Sequence, residues 1–330
     1  MDKITALREL AQSITGDFGG GSLMRLGDDP QIIEDNTKRQ SFGLLDLDLK
    51  SAGGLCFGKI HEIFGNEGEG KTTLALEIIA QCQRDGLVCH YVDAEHKLNL
   101  EYAKTLGVCI EDLMFTQPSH GEHALDITKN TLQSGLIDVC VIDSITSLVP
   151  LAEINGEFTD ANIGAHARLM SKMCRSLTPI ISENNVIFIA INQIRHKIGV
   201  MFGSPEVTTG GKALKFYSIM RMRVSSKKFE SSDKIERRQV DVSFVKQQSG
   251  GRPYDKSELL LELGMGFDKG WDIINTGLQV GVLKLAGSHV KYNDKSIGNG
   301  KLAASKSVLL DEDLLIDIVQ NIKAGGRDEG

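Results

Sequence analysis

Two hydrophobic periods alternate along this chain, and the switches between them mark its elements. Residues 59–64 (Lys-Ile-His-Glu-Ile-Phe) alternate and are rich in β-formers, which predicts a strand. Behind them Leu74, Ile78 and Cys82 recur every fourth residue, with Ala75 and Ile79 alongside. Gly86 follows, so a helix closed by glycine is expected. Three more runs, 87–92, 138–142 and 186–191, are short and almost continuously apolar. They end in Asp93-Ala-Glu95, Asp143-Ser144 and Asn192-Gln193. Such runs fit strands of a parallel sheet covered on both faces. Near the N-terminus Ile4, Leu7, Leu10, Ala11 and Ile14 form one apolar stripe on a short helix, followed by Gly19-Gly-Gly21. That stripe must be buried somewhere, on its own core or on another molecule. Residues 194–211, in contrast, show no sustained period and contain Gly199, Gly203, Gly210 and Gly211. A loop that long inside a compact domain is usually functional or disordered.

The pattern predicts an α/β fold, a twisted parallel sheet flanked by helices, and composition agrees. The 330 residues are 41% hydrophobic and 25% charged, as in a globular chain with a sizeable core, and exceed one ordinary domain. The apolar run 186–191 is far short of a membrane span. Met1-Asp2-Lys3 opens no signal-peptide run, so a cytoplasmic location without a membrane is expected. The six cysteines form no Cys-x-x-Cys pair and read as reduced thiols. Cys89, His90 and His96 are close enough for a metal to be considered, yet consecutive strand residues point to opposite faces, which argues against zinc. The net charge of −7 argues mildly against nucleic acid, but the charge is uneven. Arg195, Lys197, Lys212, Lys215, Arg221 and Arg223 face Glu206 alone between residues 190 and 224. Lys284, Lys291, Lys295, Lys301 and Lys306 face only Asp294 between 284 and 306. Each cluster is either a solvated face or an anion-binding surface.

The strongest motif is Gly65-Asn66-Glu67-Gly68-Glu69-Gly70-Lys71-Thr72-Thr73, a full P-loop pattern between the expected strand and helix. Its glycines let successive N–H groups turn toward phosphate oxygens at a helix N-terminus. Lys71 supplies a flexible cation for the β- and γ-phosphates of ATP, and the Thr72 hydroxyl is a Mg²⁺ ligand. Ligands of parallel sheets sit at the carboxyl ends of the strands, so Glu95, Asp143 and Gln193 should converge there. Asp143 suits Mg²⁺ positioning, Glu95 suits polarising the attacking water, and neutral Gln193 suits contact with the γ-phosphate.

The chain resembles the RecA family from near the N-terminus to about residue 305. The resemblance rests on Phe18-Gly…Gly-Ser22-Leu-Met-Arg25-Leu-Gly, Asp93-Ala-Glu-His96, Gly121-Glu-His-Ala-Leu and Asp143-Ser144. It continues through Ile191-Asn-Gln-Ile-Arg195-His-Lys-Ile-Gly-Val-Met-Phe-Gly203, Thr208-Thr-Gly-Gly211 and Ala213-Leu-Lys215-Phe-Tyr217. The resemblance implies a DNA-dependent ATPase that forms helical filaments on single-stranded DNA and exchanges strands with duplex. It makes Glu95 the catalytic glutamate, Gln193 the γ-phosphate sensor, Lys246 a lysine reaching toward a neighbour's ATP, and Asn99 and Tyr102 nucleotide contacts. It places DNA-binding loops at about 153–164 and 194–211. Phosphate contacts fall on Arg168, Ser171, Arg175, Gly210 and Gly211, and apolar wedges on Ile163 and Ile198. Arg195, Lys197 and Lys212 join them as cations. An N-terminal polymerisation helix and linker (1–32), an ATPase core (33–267) and a duplex-binding C-terminal domain (268–330) follow, with a LexA-type repressor as a further partner.

Departures from the family pattern are few. The second lysine of a Lys-x-Lys pair is Gln248, a family asparagine is Lys212, and a C-terminal tyrosine is Leu263. Of a long acidic tail only Asp328 and Glu329 remain. Two other readings stand beside the recombinase: a ring helicase on the same fold, and a nucleotide-gated DNA binder with little hydrolysis.

Overall fold

The computed structural model describes residues 2–19, 22–24, 38–157, 164–196, 206–230 and 235–325. Ile163, Lys197, Ile198 and the acidic tail residues therefore lie outside the described residues. The chain falls into two units, Met1–Lys38 and Arg39–Gly330. In the first, the helix Lys3–Phe18 carries the expected stripe. Ile4, Leu7 and Ala11 join Leu23 and Met24 around an apolar groove of about 610 Å³.

In the second unit β1 (Arg39–Gln40) pairs with β2 (Leu55–Cys56), ahead of a ten-stranded sheet. Its parallel members are β3 (Lys59–Gly65), β4 (Cys89–Asp93), β5 (Met114–Thr116), β6 (Val139–Asp143) and β7 (Ile187–His196). The short β8 (Glu206–Thr208) pairs antiparallel with the end of β7. β9 (Ser218–Phe229) lies parallel to β3. From there β10 (Arg237–Gln247), β11 (Lys256–Glu262) and β12 (Gly266–Phe267) extend the sheet antiparallel. The main path runs β12-β11-β10-β9-β3-β7-β6-β4-β5, so the sheet is mixed where the apolar runs announced only its parallel part.

Both faces of the parallel part are covered, which explains why most positions of its strands are apolar. Ile63, Val141, Ile189 and Met222 pack on one face with Leu74 and Ile78 of the helix Lys71–Arg84. The alternate residues Cys140, Ile142 and Phe188 pack on the other with Met170, Met173 and Leu177 of the helix Ala165–Glu183. That period-two division is what a pleated strand between two helical layers requires.

A third cluster holds the C-terminal elements. Ile274, Val290, Tyr292, Val308, Ile318 and Ile322 pack together with Leu45. They come from the helices Lys269–Gln279, Lys301–Leu310 and Glu312–Gly325 and from a three-stranded sheet, β13 (Lys284–Ala286), β14 (His289–Tyr292) and β15 (Lys295–Asn299). Asp272 ties this cluster to the helix Leu45–Lys50, accepting from the Leu45 N–H at 2.5 Å and the Asp46 N–H at 3.3 Å. Burial, with Asp46 nearby, raises the Asp272 carboxyl to about 7. None of the helices among the described residues is long and apolar enough to cross a membrane.

Candidate nucleotide and DNA site

The P-loop leaves β3 at Gly65 and enters the helix at Lys71, as its spacing requires. Gly68 and Gly70 take φ of 73° and 94°, a region L side chains rarely adopt. At Gly65 the constraint is contact: an added Cβ would lie 2.2 Å from the Val224 carbonyl oxygen. Asn66, Glu67 and Gly68 are exposed at the loop's crest, where Glu69 accepts from the Asn66 N–H at 3.3 Å. Arg238 of β10 donates to the Gly68 carbonyl at 3.1 Å. Lys71 is buried and donates to the Asn66 carbonyl at 2.5 Å. Burial lowers its pKa, and the nearby Asp143 opposes that shift.

The strand ends meet at this loop. Asp143 Oδ2 accepts from the Thr72 hydroxyl at 2.7 Å and the Tyr91 hydroxyl at 2.8 Å. Burial pushes the Asp143 carboxyl up, and those two hydrogen bonds hold it back. A desolvated carboxylate beside a hydroxyl is a hard oxygen pair of the kind magnesium takes, so Thr72 and Asp143 fit the ion. Glu95 Oε1 accepts from Ser144 Oγ at 2.7 Å and Gln193 Nε2 at 3.2 Å, and Oε2 from Lys97 Nζ at 3.3 Å. Tyr102 and Thr73 bring their hydroxyls within 3.0 Å, and Asn99 caps the short helix Leu100–Thr105 by accepting from the Tyr102 N–H. Burial raises the Tyr102 phenol.

Loop 194–211 departs from its expected form at both ends. β7 does not stop at Ile191 but runs to His196, and Ile194, Arg195 and His196 pair with Thr208, Val207 and Glu206. The loop thus stands on a β-ladder, and Gln193 lies inside the strand rather than after it. Beyond the ladder Gly210 and Gly211 turn with φ of 86° and 77°. Added Cβ atoms would lie 2.7 Å from Met170 Cγ and 3.2 Å from Ala167 Cβ. The two glycines seat the loop directly on the helix Ala165–Glu183. Arg168, Ser171 and Arg175 recur at helical spacing on that same helix. Five of the expected phosphate contacts are thereby carried by two elements in direct contact.

A family model described as the RecA N-terminal domain matches residues 5–268. The protein named Protein RecA of Bartonella henselae is 46% identical over 304 residues, covering 91% of this chain and 86% of that protein. Protein RecA of Sinorhizobium fredii is 44% identical over 322 residues, covering 96% and 88%. Protein RecA of Brucella canis is 45% identical over 305 residues, covering 91% and 83%. This chain belongs to the RecA family of recombinases.

Within that RecA-family frame, Lys246 stands apart from the P-loop cluster. Its ammonium donates to the Lys215 and Phe216 carbonyls at 3.1 Å each, and burial lowers its pKa. Arg195, Lys212 and Gln248 are exposed, and Leu263 is 40% exposed. Arg221 is withdrawn from the basic cluster, buried in an ion pair with Glu62, and Arg223 pairs with Glu206 at 2.8 Å. Reading the sequence missed four partners: Tyr91 on Asp143, Ser144 on Glu95, Arg238 on the P-loop, and Glu62 beneath loop 194–211. Tyr91 and Glu62 did leave a signal, since a polar side chain in an apolar, doubly covered strand requires a partner.

Proposed function

We propose that this chain binds ATP with Mg²⁺, polymerises on single-stranded DNA, pairs that strand with homologous duplex, and hydrolyses ATP in response to DNA. The observation that carries the reading is the 3.2 Å contact between Gln193 and Glu95. It joins the base of the 194–211 loop to the carboxylate that would act on the attacking water. Lys71, now held by the Asn66 carbonyl, would turn to the β- and γ-phosphates, and the P-loop amides would hold their oxygens. Glu95, fixed by Ser144, Gln193 and Lys97, would accept the water's proton. Neutral Gln193 would meet the γ-phosphate without adding repulsion, its second Nε2 hydrogen donating to phosphate while the first stays on Glu95. Asn99 and Tyr102 would bound the base. Magnesium held by Thr72 and Asp143 would neutralise charge on the phosphates.

A γ-phosphate at Gln193 would thus set the ladder below the 194–211 loop. The Gly210 and Gly211 amides, with Arg168, Ser171, Arg175, Arg195 and Lys212, would grip a phosphodiester chain. Such contacts leave the bases free to pair and read no sequence. By linkage, DNA would favour the ATP-competent state as ATP favours DNA. In the C-terminal segment (268–330) Lys284 lies directly opposite Lys291 across β13 and β14. Like charges so placed repel, and a duplex phosphate near them would relieve the strain. The apolar groove of the first unit would dock on a second copy in the cytoplasm. A head-to-tail contact of that kind generates an open helical filament.

The test is ATP turnover with and without single-stranded DNA, with electron microscopy of the same samples. Turnover should rise strongly with DNA and helical filaments should form. Glu95→Gln should lower kcat by about 10²- to 10⁴-fold and leave DNA binding in place. Turnover indifferent to that substitution sinks the catalytic assignment, and closed rings would favour the helicase reading.

A further inference from the structure

Glu62 lies in β3, three positions before Gly65, between the apolar Ile60 and Ile63, and has no solvent exposure. A buried carboxylate at such a place must be paired. Its Oε2 accepts from Arg221 Nε of β9, and its Oε1 from Asn192 Nδ2 of β7 at 2.8 Å. Both partners then reach the 194–211 loop. Asn192 Nδ2 also donates to the Thr209 carbonyl at 3.1 Å, and its Oδ1 accepts from the Gln193 N–H at 2.8 Å and from Thr146 Oγ1 at 3.3 Å. Arg221 donates to Thr208 Oγ1 at 3.4 Å while its guanidinium lies 4.7 Å over the Phe64 ring. One carboxylate thus binds the P-loop strand to the limb entering the loop, at Asn192 and Gln193. It also binds it to the limb leaving the loop, at Thr208 and Thr209.

Fold stability alone gives a weak account of this arrangement, because apolar residues of like volume commonly replace a buried ion pair without loss. What apolar packing cannot supply is direction, and both partners of Glu62 go on to bond Gln193 or residues leading to Gly210. We propose that Glu62 is a positioning residue that couples the nucleotide site to the DNA-binding loop. Through Arg221 and Asn192 it fixes the seat of residues 208–211 on the helix Ala165–Glu183 to the state of the P-loop strand. Without it the loop still forms, but its position no longer follows the nucleotide. The inference rests on the nucleotide-gated DNA binding proposed above.

The test measures binding of labelled oligothymidylate by fluorescence anisotropy, in ATPγS and in ADP. Nucleotide affinity (with a fluorescent ATP analogue) and the thermal midpoint are measured on the same proteins. Glu62→Gln alone strands a buried Arg221 and keeps the bond from Asn192, so the apolar pair Glu62→Met/Arg221→Met is measured beside it. The double variant should keep its thermal midpoint, and its nucleotide affinity should stay close to that of the parent. The ratio of DNA affinities between ATPγS and ADP should shrink by about tenfold, within the range of residues that carry coupling between sites. A double variant as stable as the parent that keeps the full ratio would make Glu62 purely structural and overturn the inference. A parent protein whose DNA affinity ignores the nucleotide would instead overturn the functional reading on which the inference rests, and the two failures are distinguishable.

Discussion

Replacing Gln193 by glutamate tests whether the proposed sensor and the proposed catalytic carboxylate, Glu95, work as a pair. The substitution places a second carboxylate where an amide now donates to Glu95 Oε1 at 3.2 Å. Two unit charges at that distance repel by about 5 kcal/mol at an effective dielectric near 20, and by about 1 kcal/mol in bulk water. The Glu95 side chain is 20% exposed, so the pair falls between these limits. The repulsion corresponds to a rise of roughly one to four pKa units for one member of the dyad. Above that pKa both groups are charged, the hydrogen bond is lost, and a further negative charge faces the γ-phosphate. Below it the shared proton restores a donor at position 193. DNA-stimulated turnover of Gln193→Glu should therefore be low at pH 8 and recover toward pH 6, relative to the parent at each pH. Gln193→Ala, which cannot regain a donor, should stay low throughout. The assay is steady-state ATP turnover at saturating single-stranded DNA, in buffers of constant ionic strength. A Gln193→Glu profile parallel to the parent's would mean that the two side chains do not meet in the working enzyme.

Two further predictions concern the supports of the site. Gly210→Ala demands an unfavourable left-handed φ of 86° and a Cβ 2.7 Å from Met170 Cγ, so the residue or the Met170 side chain beneath it must shift and the seat on the helix is disturbed. DNA affinity should fall by about tenfold or more for a cost of roughly 1–2 kcal/mol, with nucleotide affinity unchanged, and Met170→Ala should restore part of it. Unaltered DNA affinity in Gly210→Ala would refute the seating. Asp272, raised to about 7 from 3.8, holds more protons folded than unfolded between those values. Its contribution is therefore present below about pH 4 and is lost as pH rises through 7, by roughly 4 kcal/mol in all. Asp272→Asn should be less stable than the parent at pH 5 and should close or reverse the gap at pH 8, read from urea midpoints. A constant gap across that range contradicts the assignment.

The proposed nucleotide site was legible as a cluster because its parts are local. Strand, glycine loop and helix are contiguous from residue 59 to 86, and Asp143 directly ends an apolar strand. Glu95 and Gln193 follow similar runs closely. What was not legible depends on residues far apart in sequence. The hairpin stem of the 194–211 loop needs Ile194, Arg195 and His196 to find Thr208, Val207 and Glu206. Neither segment has the length or alternation that marks a strand by itself. Tyr91 reaches Asp143 only because β4 and β6 are neighbours, and the antiparallel extension β10-β11-β12 interrupts the strand-helix alternation that the parallel part follows.

Glu62 marks the boundary between the two kinds of information. Its charge, set beside Ile60, Ile63 and Phe64 in a strand covered on both faces, already implied a buried partner. Only the order β9-β3-β7 shows that there are two, one on each neighbouring strand, and that each leads to the same loop. The central strand of the sheet therefore carries the P-loop from Gly65 and, three residues earlier at Glu62, the bonds that lead through Asn192 and Arg221 to Thr209 and Thr208. Side chains two or four apart in a strand share a face, whereas those three apart do not. Gly65 and Glu62 thus belong to opposite sides of β3, with the P-loop helix packed on one and the helix that seats Gly210 and Gly211 packed on the other. A shift of that strand driven by phosphate on one side would be felt on the other without any intervening flexible segment.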